Sequence, residues 1–381
     1  VLREAIISRI ISTPQQRITF AEYMDMALYH PEYGYYSSNK VKIGFNGGDF
    51  FTSSHLGSDF GELLAVQFHQ MWEILGQPAV FSLVEMGAGQ GILALQILNY
   101  IQSHHWDFWA ALQYIIVEKS PALKQEQQQR LSEFSVAWCN LEDISPNSIT
   151  GCFFANELVD ALPVNQFTLE GGRLREIYVT THLPSAPFVE VIGEASTPKL
   201  VEYFQLVGID LSLYADGYRS EVNLAALDWL SQVARSLQRG YVLTIDYGYT
   251  ATRYYNTRRL QGTLQCYYQH RHHNNPYINV GEQDITAHVD FTALEQWGQR
   301  CGLNLVGFTR QGLFLMSLGL STRLASHPEQ PISQVLQRRE ALHQLIEPTG
   351  LGGFGVLIQS KGLKETEAKV SLQGLQLPEN G

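Results

Sequence analysis

The chain has 381 residues, 45% of them hydrophobic and 17% charged. At roughly 150 residues per domain, that length allows two to three domains or one large α/β domain with insertions, and so apolar a composition excludes general disorder. The formal net charge of −11, from 26 Lys+Arg against 37 Asp+Glu, argues against a nucleic-acid or membrane-surface binder, because both depend on clustered cations.

Cys139, Cys152, Cys266 and Cys301 lie far apart without a C-x-x-C pair, so neither a zinc knuckle nor a disulfide scaffold is signalled and a reducing compartment is the simplest home. The longest apolar stretches, such as Gly312 to Leu320, stop short of the roughly 18 residues needed to cross a bilayer. Val1 stands where an initiator Met would, which leaves room for a removed targeting segment.

In chain order, Leu2, Ile6, Ile7, Ile10 and Ile11 recur at helical spacing up to Thr13-Pro14. Thr19 to Met26 reads as a second helix, ended by the aromatic, Gly/Pro-punctuated His30 to Tyr36. Gly44 to Ser54 is loop-like and Asp59 to Leu75 is helical again. Phe81 to Met86 is an apolar strand, followed by the glycine turn Gly87-Ala88-Gly89-Gln90-Gly91 and a helix from Ile92 to Ile101. Tyr114 to Glu118 makes a second strand, and Ser120-Pro121 opens a Gln-rich helix. Val136 to Cys139 and Gly151 to Ala155 read as the third and fourth strands, Leu224 to Leu237 as a helix, and Tyr241 to Asp246 as the fifth strand.

Strands alternating with helices predict a doubly wound, mostly parallel sheet. Phe167 to Ile192 breaks the rhythm with a hairpin around Gly171-Gly172 and reads as a β-rich insertion. Leu303 to Phe308 and Phe354 to Gln359 are two late strands, and the polar stretch after Lys361 is expected to fray. The predicted organisation is a helical N-terminal cap over 1–78, a first half of the core over 79–165, an insertion over 166–222, a second half over 223–361 and a tail over 362–381.

The three glycines stand where a strand end meets a helix start, so the backbone can turn tightly and approach a ligand. Their G-x-G-x-G spacing differs from the dinucleotide G-x-G-x-x-G, whose last position would fall on Ile92. Glu85 would repel a pyrophosphate and welcome an ammonium, which S-adenosylmethionine carries. Glu118, ending the second strand, can accept hydrogen bonds from both ribose hydroxyls, and Asp143 can accept one from an adenine amino group. A bare tight turn is the bland alternative for the glycines.

Asn156-Glu157-Leu158-Val159-Asp160-Ala161-Leu162-Pro163 follows the fourth strand, placing two carboxylates at the carboxyl edge of the sheet. Helix N-capping explains the same residues equally well. His270, His272 and His273, with Asp284, His288 and Asp290, lack clean metal spacing, and the segment is predicted to carry no metal and to be either a lid or substrate loop packed by Tyr267, Tyr268 and Tyr277 or an ordinary surface loop.

These stretches together resemble the MidA-like methyltransferases, a family related to the mitochondrial complex I assembly factor that methylates arginine. The matching pieces are Tyr29 to Tyr36, Gly48 to Ser53, Phe60 to Leu63, Leu83 to Gly91, Ala155 to Pro163, Ile245 to Tyr249 and Gln283 to Phe291, in order along most of the chain. Of these, N-E-x-x-D-A-L-P and D-I-T-A-H-V-D-F are the most specific. Two departures stand out: Ser54-His55 replaces the family's usual Pro-Glu, and Gln90 replaces a residue that is often basic.

The resemblance implies a Rossmann-like class I methyltransferase fold that transfers methyl from S-adenosyl-L-methionine to a protein arginine, with a subunit of the NADH dehydrogenase complex as partner. It implies cofactor contacts from Glu85, Gly87, Ala88, Gly89, Gly91, Glu118, Asp143, Asp49, Thr52 and Ser53, and catalytic work by Glu157, Asp160 and Asn156, with Asp246 and His288 behind them. Cytoplasmic residence is expected in a bacterium and the mitochondrial matrix in a eukaryote, the cytoplasm being preferred, without a membrane span, and a homodimer is left open. A cofactor-binding assembly chaperone without turnover and a nicotinamide oxidoreductase are the competing readings.

Overall fold

The computed structural model describes residues 1–37, 53–182, 186–269, 271–325 and 332–376. The chain divides into two compact units, one of Phe51–Leu158, Ser231–Tyr247 and Gly298–Gly381, the other of Val1–Phe50, Val159–Leu230 and Gly248–Trp297.

The first unit holds the sheet. Its strands are β1 (Phe81–Met86), β2 (Leu112–Val117), β3 (Val136–Cys139), β4 (Ile149–Asn156), β5 (Leu237–Asp246), β6 (Asn304–Arg310) and β7 (Gly355–Lys361). They lie in the order β3-β2-β1-β4-β5-β7-β6. Neighbours from β3 to β5 pair in parallel, and β7 runs antiparallel to both β5 and β6. This is the doubly wound, mostly parallel sheet expected from the alternating pattern.

Every residue of β1 is buried, as a strand covered on both faces requires. Helices α1 (Asp59–Ile74) and α2 (Ile92–His104) contribute Phe60, Leu64, Phe68, Ile97 and Ile101 to the same apolar cluster as Phe81, Leu83 and Phe154 of the sheet. The chain steps one way from β1 to β2 and β3 and the other way from β4 to β5, so the strand order reverses between β1 and β4. A doubly wound sheet binds ligands in the crevice at the carboxyl ends beside such a reversal. Gly87 follows β1 there and Glu157 follows β4.

The predicted strands and helices of this unit stand within a few residues of their observed bounds. The stretch after Lys361 differs from expectation. Residues 365–368 form a helical turn, Glu367 pairs with Arg239, and the Gly374 N–H donates to Gln67 Oε1 at 2.9 Å. These ties, together with a buried Leu372, hold residues 362–376 against the core.

The second unit contains the predicted hairpin, Asn165–Glu170 against Arg173–His182, antiparallel and flanked by Ile18–Thr19, Ala186–Gly193 and Arg219–Val222. The helix Phe20–Tyr29, capped by the Thr19 hydroxyl, buries Phe20, Tyr23 and Met24 in a cluster with Val164, Val179 and Ile285. The segment expected as a histidine-bearing loop is instead partly sheet: Gln265–Tyr268 pairs antiparallel with both Arg271–His273 and Asp284–Thr286. Its strands are too short and too irregular to show the two-residue alternation that announces a strand. His270 lies outside the described residues.

Candidate active site

Glycines and acids meet at the carboxyl end of β1. Gly87, Gly89 and Gly91 have φ of 70°, 51° and 77°, a region that penalises any side chain. The Gly87 N–H donates to Val117 O of β2 at 3.0 Å, which fixes where the turn begins. A Cβ at Gly87 would stand 2.7 Å from Leu158 Cδ1. Gly91 precedes α2, whose first turn receives no side-chain cap, so its N–H groups face the turn.

Glu118 follows β2 directly. Its Oε1 accepts from Ser120 N at 2.8 Å and its Oε2 from Gln127 Nε2 at 3.0 Å. Burial raises its pKa against the pull of these donors. The Lys119 N–H also acts on it, and a carboxylate, with about four acceptor positions, keeps capacity beside these donors for a ribose hydroxyl. Glu85, only 3% exposed within β1, accepts from the Tyr114 hydroxyl at 2.6 Å, and burial together with the nearby Glu118 charge pushes it up to about 7. Ala88 is buried in the turn. Asp143 is exposed on a short 3-10 turn after β3, where its Oδ2 accepts from the backbone and side-chain nitrogens of Asn140. Asp49 and Thr52 lie outside the described residues.

At the end of β4, Glu157 takes a φ of 54°, rare for a residue with a side chain. Its N–H donates to Ile245 O at 2.9 Å, and its Oε1 accepts from Ser53 N and Asn156 Nδ2, both at 3.2 Å. Burial first, then the neighbouring Asp246, push its pKa up to about 8. Asp246, at the end of β5, is fully buried and accepts from Tyr247 N at 2.7 Å. Asn156 Oδ1 is buried with no hydrogen-bond partner among the described residues. Asn156, Glu157, Asp246 and Ser53 therefore form one group.

Asp160 and His288 belong to the other unit, where the Ala287 N–H donates to Asp160 O at 2.9 Å. The His288 N–H donates to Thr263 Oγ1 at 3.1 Å, and burial with the nearby Arg259 lowers its imidazole pKa to about 3. That histidine is neutral at physiological pH. Among the described residues no cluster of three or more His, Cys, Asp or Glu is arranged to hold a metal ion.

The two departures from the family pattern touch each other. His55 Nε2 and Gln90 Oε1 are 3.2 Å apart, and Gln90 Nε2 donates to Glu126 Oε1, so the amide orientation makes His55 Nε2 the donor. A carboxylate and a cation at these positions would face each other as an ion pair; the hydrogen bond between His55 and Gln90 replaces it.

The profile of a family of S-adenosyl-L-methionine-dependent methyltransferases matches residues 63–309. The chain belongs to this family. The methyltransferase is 30% identical to the mouse mitochondrial protein arginine methyltransferase NDUFAF7 over 337 residues, covering 81% of this chain and 72% of that protein. It is 28% identical to the Drosophila melanogaster NDUFAF7 homolog over 386 residues, 92% of this chain and 82% of that protein. A crystal structure from Burkholderia thailandensis with S-adenosyl-homocysteine bound superposes with a TM-score of 0.86 at 31% identity, covering 98% of this chain and 94% of that one. The cofactor of this methyltransferase is S-adenosyl-L-methionine, and the glycine turn with its two-handed acid acceptor fits such a nucleoside.

Gln127 escaped the sequence reading. It lies in the Gln-rich helix, where Gln125, Gln128 and Gln129 are exposed and Gln127 alone is fully buried. The available signal was its place four residues after Leu123, on the buried helical face.

Proposed function

We propose that this methyltransferase methylates an arginine guanidinium on a protein, through acceptors grouped at the ends of β4 and β5. The observation that carries this reading is the buried Asn156 Oδ1, without a partner among the described residues, on a side chain whose Nδ2 donates to the Glu157 carboxyl beside the strand reversal. An acceptor buried without a donor is costly, and a guanidinium offers five N–H donors in a rigid fork.

When bound, S-adenosyl-L-methionine supplies an electrophilic methyl on a sulfonium. With the cofactor bound, the methyl would pass to a guanidinium nitrogen and leave S-adenosylhomocysteine, and Glu157 would take the proton that the nitrogen gives up. Asn156 and Glu157 align the attacking nitrogen and draw positive charge toward the nitrogens they hold. Asp246 raises the proton affinity of Glu157 and so helps it take that proton. Glu85, Gly87, Ala88, Gly89, Gly91, Glu118 and Ser53 are the proposed cofactor surroundings, with Asp143 at the adenine end. Asp160 and His288 rest on the family resemblance alone.

The relatives are named as mitochondrial protein arginine methyltransferases. With the family's tie to complex I assembly, that supports a subunit of the NADH dehydrogenase as partner and the bacterial cytoplasm or mitochondrial matrix as location. No helix among the described residues is long and apolar enough to cross a membrane.

The reading is tested by binding an arginine peptide to the protein saturated with S-adenosylhomocysteine. Asn156→Leu is expected to weaken the peptide about tenfold, since a hydrogen bond to a charged group contributes about 1.5–3 kcal/mol, and to leave cofactor affinity unchanged. Equal binding by the variant, or equal binding of a peptide with lysine in place of arginine, would remove the guanidinium from this position.

A further inference from the structure

Gln127 joins the two halves of the proposed cofactor site. It sits on α3 (Pro121–Arg130), a helix started by Pro121 and by the Ser120 hydroxyl, which accepts from Leu123 N at 3.2 Å. Its Nε2 donates to Gly89 O at 2.7 Å and to Glu118 Oε2 at 3.0 Å. Its Oε1 accepts from Trp138 Nε1 of β3 at 3.0 Å. An indole nitrogen can only donate, so the amide can point only one way, and both of its N–H groups are committed. Gly91 completes the arrangement: a Cβ there would approach Gln127 Cγ to 3.3 Å. The third glycine thus allows the helix carrying Gln127 to close on the turn.

We infer that Gln127 is a positioning residue for the cofactor, holding the glycine turn and the Glu118 carboxylate in one fixed relation. The inference rests on the proposal that Glu118 receives the cofactor's ribose. A donor at this place holds the Glu118 carboxylate in position and leaves its outward lone pairs free for hydroxyls. It also ties down the Gly89 carbonyl, so turn and acid move together or not at all. A neutral amide is the side chain of this length that donates twice and accepts once without bringing charge beside Glu118.

The charge requirement makes the inference testable. Glu118 faces this position from the sheet side, and Glu85, which holds the Tyr114 hydroxyl, acts on Glu118 behind it. Lys124, Glu126 and Arg130 share its helix; Arg130 Nη2 donates to Glu126 at 3.0 Å and its Nε to Gln90 O at 2.7 Å. Lys124 and Asp143 act on Cys139, next to Trp138. In Gln127→Glu, one added proton lets the new carboxyl donate to Glu118 Oε2, whereas its loss sets two carboxylates and the Gly89 carbonyl against one another. Neither Arg130, held by Gln90 and Glu126, nor Lys124 bonds to this position.

The experiment measures the dissociation constant of S-adenosylhomocysteine by calorimetry at several pH values for the wild type, Gln127→Glu, Gln127→Met and Glu118→Ala, with circular dichroism confirming each fold. The ratio of Gln127→Glu to wild type is expected to exceed tenfold at pH 8.5 and to fall within about threefold at pH 5.5. Gln127→Met, neutral and of similar length, is expected to weaken binding by a factor that does not change with pH. It should also lower the preference for the ribose over the 2′-deoxyribose form of the ligand severalfold, which covers the case in which Gln127→Glu fails to fold. A purely structural role would move neither the pH dependence nor the sugar preference. If Glu118→Ala binds like wild type, the placement of the ribose fails and the inference with it. If Glu118→Ala loses affinity while Gln127→Glu tracks the wild type at every pH and Gln127→Met keeps its sugar preference, the inference alone is overturned.

Discussion

Gly87→Val is expected to weaken S-adenosylhomocysteine binding by at least tenfold and up to about a hundredfold. Gly87 holds a φ of 70° at the point where β1 opens into the turn, and its N–H is fixed to Val117 O at 3.0 Å. A β-branched residue in that region carries a strain of about 1–3 kcal/mol, and the backbone relieves it by leaving the conformation that receives the ligand. Every 1.4 kcal/mol is about tenfold in affinity. The clash of the new Cβ with Leu158 Cδ1 at 2.7 Å adds less, because a leucine tip can turn aside. Gly87→Ala is expected to lose less than Gly87→Val. Calorimetry with the purified protein reads the effect, and an unchanged dissociation constant for a folded Gly87→Val would displace the cofactor from this turn.

Glu157→Gln separates catalysis from stability. Burial and Asp246 push the Glu157 carboxyl up to about 8, while an unfolded chain leaves a glutamate near about 4.3. The folded state therefore binds this proton more tightly than the unfolded one. The stabilisation is fully present below about pH 4.3 and is lost as pH rises through about 8, where the folded protein must hold a sheltered carboxylate. Glutamine carries no such charge, so the variant is expected to have a higher Tm than the wild type at pH 9 and no comparable gain at pH 4. Its turnover is expected to fall by about 10²- to 10⁴-fold, the usual contribution of a positioned base, with S-adenosylhomocysteine affinity unchanged. Wild-type kcat/KM should rise with pH through about 8 as the carboxylate forms, and the variant should lack that step. Retained activity in Glu157→Gln would return the residue to the helix-capping role that its sequence context also allows.

Much of this site was legible because its signals are local. A buried strand, three glycines and a helix are adjacent in the chain, and hydrophobic periodicity passes from two to 3.6 across them. The acids at positions 85, 118 and 157 were readable for the same reason, since each lies at or near the end of an apolar strand. Gln127 was not, because its burial depends on how closely a helix approaches Gly91, a distance that only the folded backbone sets. The pairing of His55 with Gln90 was equally hidden, although each position had already stood out against the family pattern. The short strands at Gln265–Tyr268 and Arg271–His273 read Q-C-Y-Y and R-H-H, too short and too irregular for any alternation to mark them. The second unit rests on contacts such as the Tyr23 hydroxyl to Pro276 O at 2.8 Å, between residues far apart in sequence. Local periodicity carries no trace of such partners.

The most direct measurement incubates the purified protein with methyl-labelled S-adenosyl-L-methionine and the subunits of the NADH dehydrogenase, then locates the transferred methyl by peptide mass spectrometry. The expected result is label on an arginine side-chain nitrogen of one subunit, absent when Glu157→Gln replaces the wild type. Label on lysine or histidine, or no transfer from a protein that binds S-adenosylhomocysteine, would contradict it.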